Sequence, residues 1–517
     1  MGSPIFILGE DAQRTTGRDA QQSNIAAGKA VAESVRTTLG PRGMDKMLVD
    51  ASGTVVITND GATILEEMDI EHPAAQMLVE VAETQEDAVG DGTTTASVLA
   101  GQLLVRAEEL LSQDVHPTTV AEGYARARDI ALDAIDELVI DGDVDDETLQ
   151  QVARTSMTGK GTGHLSAEAL AEYVVRAIRA VEDEEGVNRD DVRVHTQVGA
   201  SSGATELVEG VVVDAEAMRD EMSRRVDDAT VAVLDAKIEP RETSTDVEYN
   251  ITDVRQLDEA IAAEEAELGA YADALIEAGI DVLVATKDVD DRVAAQLVRA
   301  GVVAFEDVSS ADARAIATAT GSSMLGDVRD IDADDLGFAE SVRVESYGDD
   351  DLVFVEGGAD AKSVTLFVRG GTEHVVDELE RALGDALDVA TVTITDGGVV
   401  PGAGMTEMRV ANAVRDAAAG VEGRGQLAVE AFADALEVIP RTLAENMGMD
   451  PIDALVDLRA ANESGSAGVV SEGETGIIAD PVERGIVDPA AVKREAIESA
   501  TEAATMIVRI DDVIAAE

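Results

Sequence analysis

The sequence predicts a multidomain protein of mixed α and α/β class, in which a helical body is interrupted by an inserted α/β domain. Apolar residues recur at helical spacing over residues 20–140 and again from Thr406 onward. Residues 210–320 switch to short apolar runs that alternate with helical patterns, as an α/β unit requires. Glycine, proline and acid-plus-hydroxyl clusters punctuate these stretches where helices should start or stop.

Ala20–Leu39 reads as the first helix, ended by Gly40-Pro41, because glycine permits a left-handed cap and proline cannot continue the helix. Met47–Val49 and Val55–Ile57 read as short strands around Ala51-Ser52-Gly53. Helices are expected at Ala62–Met68, Ala74–Val89, Thr94–Leu111 and His116–Ile140, and the acidic run Asp141–Glu147 suggests a boundary. Val231–Leu234, Val282–Ala285 and Val302–Phe305 look like buried strands, with Leu257–Ala278 and Val293–Ala300 as helices between them. In the first of these helices Leu257, Ile261, Leu268, Tyr271 and Leu275 share a face. The polar connection from Ile238 to about Arg255, with Pro240, is expected to project. Helices follow at Glu373–Ala390, Glu407–Ala419, Gln426–Asn446, Pro451–Ala461 (with Asp450 as N-cap) and Pro489–Val508.

Composition excludes several functions. The 517 residues carry 106 acids against 39 bases, a formal net charge of −67, and only seven of the bases are Lys. The acids are scattered over every segment, which suits a solvated surface adapted to a very salty cytoplasm better than a binding patch. In such salt the Debye length is about 3 Å or less, so self-repulsion hardly acts, and dilute buffer should loosen any assembly. No basic stripe is present to neutralise phosphates, so nucleic acid is not an expected partner. Cysteine is absent and the five histidines have no metal-ligand spacing, which leaves no thiolate site and no basis for zinc. There is no membrane-length apolar run and no signal-like N-terminus, so a cytoplasmic protein without a membrane partner is expected. Aromatics are 2%, with no Trp, so a base-stacking pocket is not expected.

Gly90-Asp91-Gly92-Thr93-Thr94-Thr95 is the most informative stretch. Two glycines let the backbone turn tightly and approach an anion, and the helix beginning at the threonines would aim free N–H groups at the turn. Asp91 would sit where Mg²⁺ can bridge a carboxylate and phosphate oxygens. A threonine N-cap behind an ordinary tight turn explains the same hexapeptide. The P-loop pattern is absent, since Gly161 follows Gly159-Lys160 and Arg154 stands where the first glycine should be. Neither Gly161-Thr162-Gly163 nor Gly402-Ala403-Gly404 completes a dinucleotide fingerprint. Leu39–Gly43 is a second glycine turn, and Asn59–Thr63 repeats the acid-glycine-hydroxyl theme at a helix start.

Leu39–Met47 (LGPRGMDKM), Val56–His72 (VITNDGATILEEMDIEH) and Gly90–Thr95 (GDGTTT), in that order and at close spacing, resemble the chaperonins, specifically the archaeal group II type. The resemblance continues through Arg369–Leu387, Phe432–Asn446 and Gly485–Pro489 and spans essentially the whole chain. It implies the chaperonin fold: an equatorial helical domain (1–143 with 398–517), a small α/β intermediate hinge (144–208 with 362–397) and an α/β apical domain (209–361) with a helical protrusion near 238–268. It further implies ATP hydrolysis with Mg²⁺, and K⁺ as an accompanying ion. Thr38, Leu39, Gly40 and Pro41 would line the nucleotide. Asp91 would hold the metal, with Gly92, Thr93, Thr94 and Thr95 around the phosphates. Asp60 and Asp385 would position the attacking water, Lys160 would sense the γ-phosphate and Asp488 would bond the ribose. Gly402 and Gly404 would approach the nucleotide, although Ala403 stands where the family has a third glycine. Gly468–Ile477 matches the family poorly, and no residue is assigned there. The sequence stops at Glu517 without a glycine- and methionine-rich tail; were that tail missing in the native protein too, the cavity floor would be less furnished. Unfolded proteins are the implied clients, enclosed by two stacked rings of eight or nine identical or paralogous subunits. On residue chemistry alone, a metabolite kinase and an ATP-binding scaffold without turnover stay open, and helical geometry alone makes Asp385 look like a surface acid.

Overall fold

The computed structural model describes residues 13–49, 52–140, 142, 144–161, 165–183, 186–240, 254–348, 350–358, 363–462 and 466–515. The chain divides into two compact units, Met1–Val175 with Arg381–Glu517, and Arg176–Glu380.

The first unit is a pack of helices. Arg18–Val35, Pro73–Val89, Thr93–Ser112, Pro117–Leu138, Met405–Ala418, Gly425–Leu436 and Ala490–Arg509 bury their apolar stripes in one core. Thr93–Ser112 is its centre: Leu99, Leu103 and Leu104 are at most 1% exposed, each worth about 1.5–3 kcal/mol when buried. Tyr124 packs edge-on against Phe432 at 5.7 Å and donates to the Leu103 carbonyl at 2.9 Å, so its hydroxyl is satisfied in an apolar core. Among the described residues, four antiparallel pairs trim the helices. Lys46–Val49 pairs with Val55–Thr58, Gln13–Thr16 with Asp512–Ala515, Val399–Pro401 with Val487–Pro489, and Gly468–Glu472 with Thr475–Ala479.

One expectation changes here, and the acidic run gains a structural detail. Gln426–Asn446 is two helices, Gly425–Leu436 and Val438–Asn446, because Pro440 has no N–H to donate and its ring crowds the carbonyl of Leu436. The acidic run near 145 is a helix start. Asp145 Oδ1 accepts from Thr148 N at 2.9 Å and from its hydroxyl at 2.8 Å, opening Asp146–Met157. Asp450 caps Pro451–Asn462 as the sequence predicts, accepting from Ile452 N and Asp453 N.

The second unit is built on a seven-stranded mixed sheet. Its order is Gly210–Asp214, Asp350–Gly358, Gly337–Tyr347, Arg225–Leu234, Val282–Ala285 and Val303–Phe305, with Met324–Leu325 also pairing Arg225–Leu234. The three strands read from the sequence form its parallel part together with Met324–Leu325, and are joined by helices Val254–Glu277 and Asp291–Ala300. Leu268, Tyr271 and Leu275 of the first helix are buried, whereas Ile261 is 45% exposed, so the shared face is covered only from Leu268 onward. The Leu257 side chain and residues 241–253 of the expected projection lie outside the described residues. A smaller sheet joins Val192–Val198, Val364–Gly370 and Glu206–Val208.

Candidate active site

The helical unit holds a cavity of about 630 Å³, which positions nearly every residue singled out in the sequence. Its lining includes Thr38, Leu39, Gly40 and Pro41, then Asp60, then Asp91 through Thr95, and Lys160, Gly404 and Asp488.

Backbone geometry builds the floor. Gly90 and Gly92 both have left-handed φ, 66° and 86°, and cap Pro73–Val89 and Thr93–Ser112 respectively. No side chain would fit at Gly90: a Cβ there would lie 2.2 Å from Asp388 Cβ, so this glycine lets the Glu373–Thr395 helix reach the turn. Asp91 accepts from Gly92 N through Oδ1 at 2.6 Å, and its carbonyl accepts from Gln85 Nε2 at 2.7 Å, fixing the acid between the two glycines. Asp60 caps Gly61–Glu66, accepting from Thr63 N at 2.7 Å, and takes a 3.3 Å bond from Thr93 Oγ1. Thr38 and Thr94 hydroxyls meet at 3.3 Å. Three separate turns of the sequence therefore share one wall.

Asn59, which the sequence reading left without a role, donates from Nδ2 to the Gly159 carbonyl at 2.8 Å and holds the segment before Lys160 in place. The Lys160 ammonium forms an ion pair with Asp385. Asp385 is 8% exposed, so it is a buried acid and not a surface one. It is not itself among the cavity-lining residues and reaches the cavity through Lys160. Gly402 is also absent from the lining, where Ala403 and Gly404 stand instead.

Electrostatics mark the cluster. Burial pushes the Asp385 carboxyl up, and Asp91 and Asp60 push the same way against the opposing pull of Lys160. Burial opposes charge on Lys160, yet Asp385, Asp91 and Asp60 together hold its pKa above the ordinary lysine value. Glu86 is raised to about 8 by burial first, then by Asp385, Asp60 and Asp91, and its Oε2 is buried without a partner among the described residues. Four carboxylates thus face one lysine, and the deficit is of cation. Among the described residues no group of three or more acids and histidines is arranged to hold a metal by itself. A cation here would need ligand oxygens as well, which is how Mg²⁺ binds between carboxylates and phosphates.

Sequence reading missed part of the wall. Val469, Val470 and Ser471 from the Gly468–Glu472 strand line the cavity, as do Ile439, Leu443 and Val492. The usable signal was a hairpin: two β-rich runs, VVS and TGIIA, flank Glu472-Gly473-Glu474, with Gly473 at φ 61°. Ala403 adopts a left-handed φ of 56°, the conformation a glycine would take without strain.

This fold is that of a chaperonin, and the chain belongs to the TCP-1/cpn60 chaperonin family, whose model matches residues 31–517. It is 65% identical over 520 residues to thermosome subunit 3 of Haloferax volcanii, covering 100% of this chain and 99% of that protein. It is 53% identical over 514 residues to thermosome subunit alpha of Halobacterium salinarum, covering 99% of this chain and 91% of that one. Identity to the thermosome subunit of Methanopyrus kandleri is 51% over 520 residues, covering 100% and 95%. The chain is an ATP-dependent chaperone of the archaeal group II, salt-adapted type, and neither the kinase nor the scaffold reading finds support. No described helix is long and apolar enough to cross a membrane.

Proposed function

We propose that this cavity binds and hydrolyses ATP with Mg²⁺, and that turnover drives enclosure and release of unfolded proteins. The observation that carries the reading is the convergence of Asp60, Asp91 and the Lys160–Asp385 pair, from four distant segments, on one electrostatic cluster. Phosphoryl transfer to water needs positioning and charge neutralisation more than covalent chemistry, and these groups supply both. Mg²⁺ neutralises phosphate charge and would be held by Asp91. Backbone N–H groups of Gly92 through Thr95 and the threonine hydroxyls cradle the phosphates. Asp60 and Asp385 orient the attacking water and accept its proton, and Lys160 binds the terminal phosphate. Asp488 accepts from the ribose, the Gly402–Gly404 loop flanks the nucleoside, and K⁺ supplements the cation deficit.

Residues 1–143 with 398–517 act as the equatorial ATP-binding domain, 144–208 with 362–397 as the hinge, and 209–361 as the client-binding apical domain with its protrusion. ATP favours closure because it gains contacts in the closed state that the open state lacks. Subunits, identical or paralogous, assemble as two stacked rings of eight or nine in the cytoplasm, with neither nucleic acid nor membrane as partner. Asp385→Ala tests the reading: phosphate release should fall by about 10²–10⁴-fold while ATP binding persists. Wild-type turnover in that variant would overturn it.

A further inference from the structure

A second buried charge cluster borders the same cavity and has only one member, Asp488, in the scheme above. Lys493 sits in the first turn of Ala490–Arg509, where the helix dipole disfavours a cation, and its side chain is 12% exposed. Glu407 Oε1 and Asp488 Oδ2 each lie 2.8 Å from its Nζ. Glu407, 4% exposed, comes from the first turn of Met405–Ala418, and Asp488 from the Val487–Pro489 strand. Burial opposes charge on Lys493, but the two carboxylates outweigh it and keep the lysine protonated.

Stability alone is a poor reason for this triple. It carries one negative charge in excess and leaves Glu407 Oε2 without a partner among the described residues, and apolar side chains of similar volume commonly serve a core as well or better. What an apolar replacement cannot do is orient a carboxylate. Asp488 and Lys493 line the cavity, whereas Glu407 does not, so the lysine is fastened by an acid outside the wall. With Oδ2 engaged by the ammonium, Oδ1 of Asp488 makes no hydrogen bond among the described residues and is free to accept one from a ligand.

We propose that Lys493, anchored by Glu407, is a positioning residue that sets Asp488 to accept from a ribose hydroxyl, so that the triple selects ribonucleotides over deoxyribonucleotides. The inference rests on the reading of Asp488 as the ribose contact. Equilibrium binding of ATP, 2′-deoxy-ATP and 3′-deoxy-ATP to the full chain with Mg²⁺ in high salt tests it. Wild type should prefer ATP to the weaker-binding analogue by about tenfold or more, the worth of one hydrogen bond to a charged acceptor. Lys493→Met combined with Glu407→Leu keeps the net charge of the triple unchanged and removes its two most buried members together, leaving Asp488, whose side chain is 21% exposed, without its ammonium. In it the ratio should fall to about threefold or less, as expected once that bond is no longer held in line. A purely structural role would weaken all three nucleotides together, and an unchanged ratio would overturn the proposal. Asp488→Ala separates the two levels. A ratio that survives this change sinks the ribose contact itself; one lost there but kept in the double variant sinks only the positioning role. Should the double variant not fold, Glu407→Gln is read by the same ratio, with a fall supporting the proposal and constancy overturning it.

Discussion

The two charged clusters of the cavity solve opposite problems. Around Lys160, Asp60, Asp91, Asp385 and Glu86 are too many for the available positive charge, and burial with mutual repulsion raises the Asp385 and Glu86 carboxyls. Around Lys493, two carboxylates share one buried ammonium and its pKa rises, leaving the group a single negative charge in excess, with its partners fixed before any ligand arrives. The first cluster is therefore incomplete without a cation; the second is already set. Under the proposed reaction this division separates chemistry from selection. Charge must change where the phosphate leaves, and geometry must stay fixed where the sugar is read.

The largest way to break that contrast is Asp91→Asn. Asparagine keeps an oxygen to accept from Gly92 N, so the turn should survive while the charge proposed to hold the metal is lost. Mg²⁺-dependent affinity for ATP should drop by about 10–100-fold or more, with little change in metal-free binding, as titration with and without EDTA would show. An equal loss in both conditions would mean the turn itself had collapsed.

Glu86→Gln sharpens the comparison next. The folded-state pKa is about 8, above the unfolded carboxyl, so the folded protein binds more protons between those values and loses stability as pH rises through that window. Glutamine removes the titration. The variant should therefore match wild type near the lower end and exceed it near pH 8 by on the order of 1–3 kcal/mol without nucleotide. Thermal melts across that range decide it, and Mg²⁺ with nucleotide should shrink the gap. The smallest effect belongs to Ala403→Gly. Relief of the left-handed φ, about 1–2 kcal/mol, is partly offset by the extra freedom of glycine in the unfolded chain, for a net gain near ~0.5 kcal/mol. A loss of stability would show that the alanine methyl packs usefully against Gly468, whose position leaves no room for a Cβ beside it.

How much of this was legible in the sequence followed from how local each signal was. The Gly90–Thr95 turn, the Asp60 cap and the helices around them carry their own punctuation, and the structure places them as read. The Gly337–Tyr347 and Asp350–Gly358 strands were not read, although polar and apolar residues alternate in the first and Leu352–Val355 is a continuous apolar run in the second, a signal of the same kind as Val231–Leu234. Asp385 looked exposed by helical geometry because its burial depends on Lys160, which lies 225 residues away. Lys493 was invisible for a similar reason. In Ala490–Arg509 it stands beside Arg494 and Glu495 as any solvated lysine would, and only the fold reveals Glu407 and Asp488 on either side. Tertiary partners of charged residues are the part a single chain conceals.

The Lys160–Asp385 ion pair also bears on which nucleotide can be cleaved. While the ammonium rests on Oδ2 of that carboxylate, that oxygen would not be available, under the proposed reaction, to organise a water molecule. On that reading a third phosphate would compete for the same ammonium, and its arrival would release that oxygen. A diphosphate would lack the competing group and would leave the pair latched. The interlock would thus distinguish spent from fresh nucleotide without any additional residue.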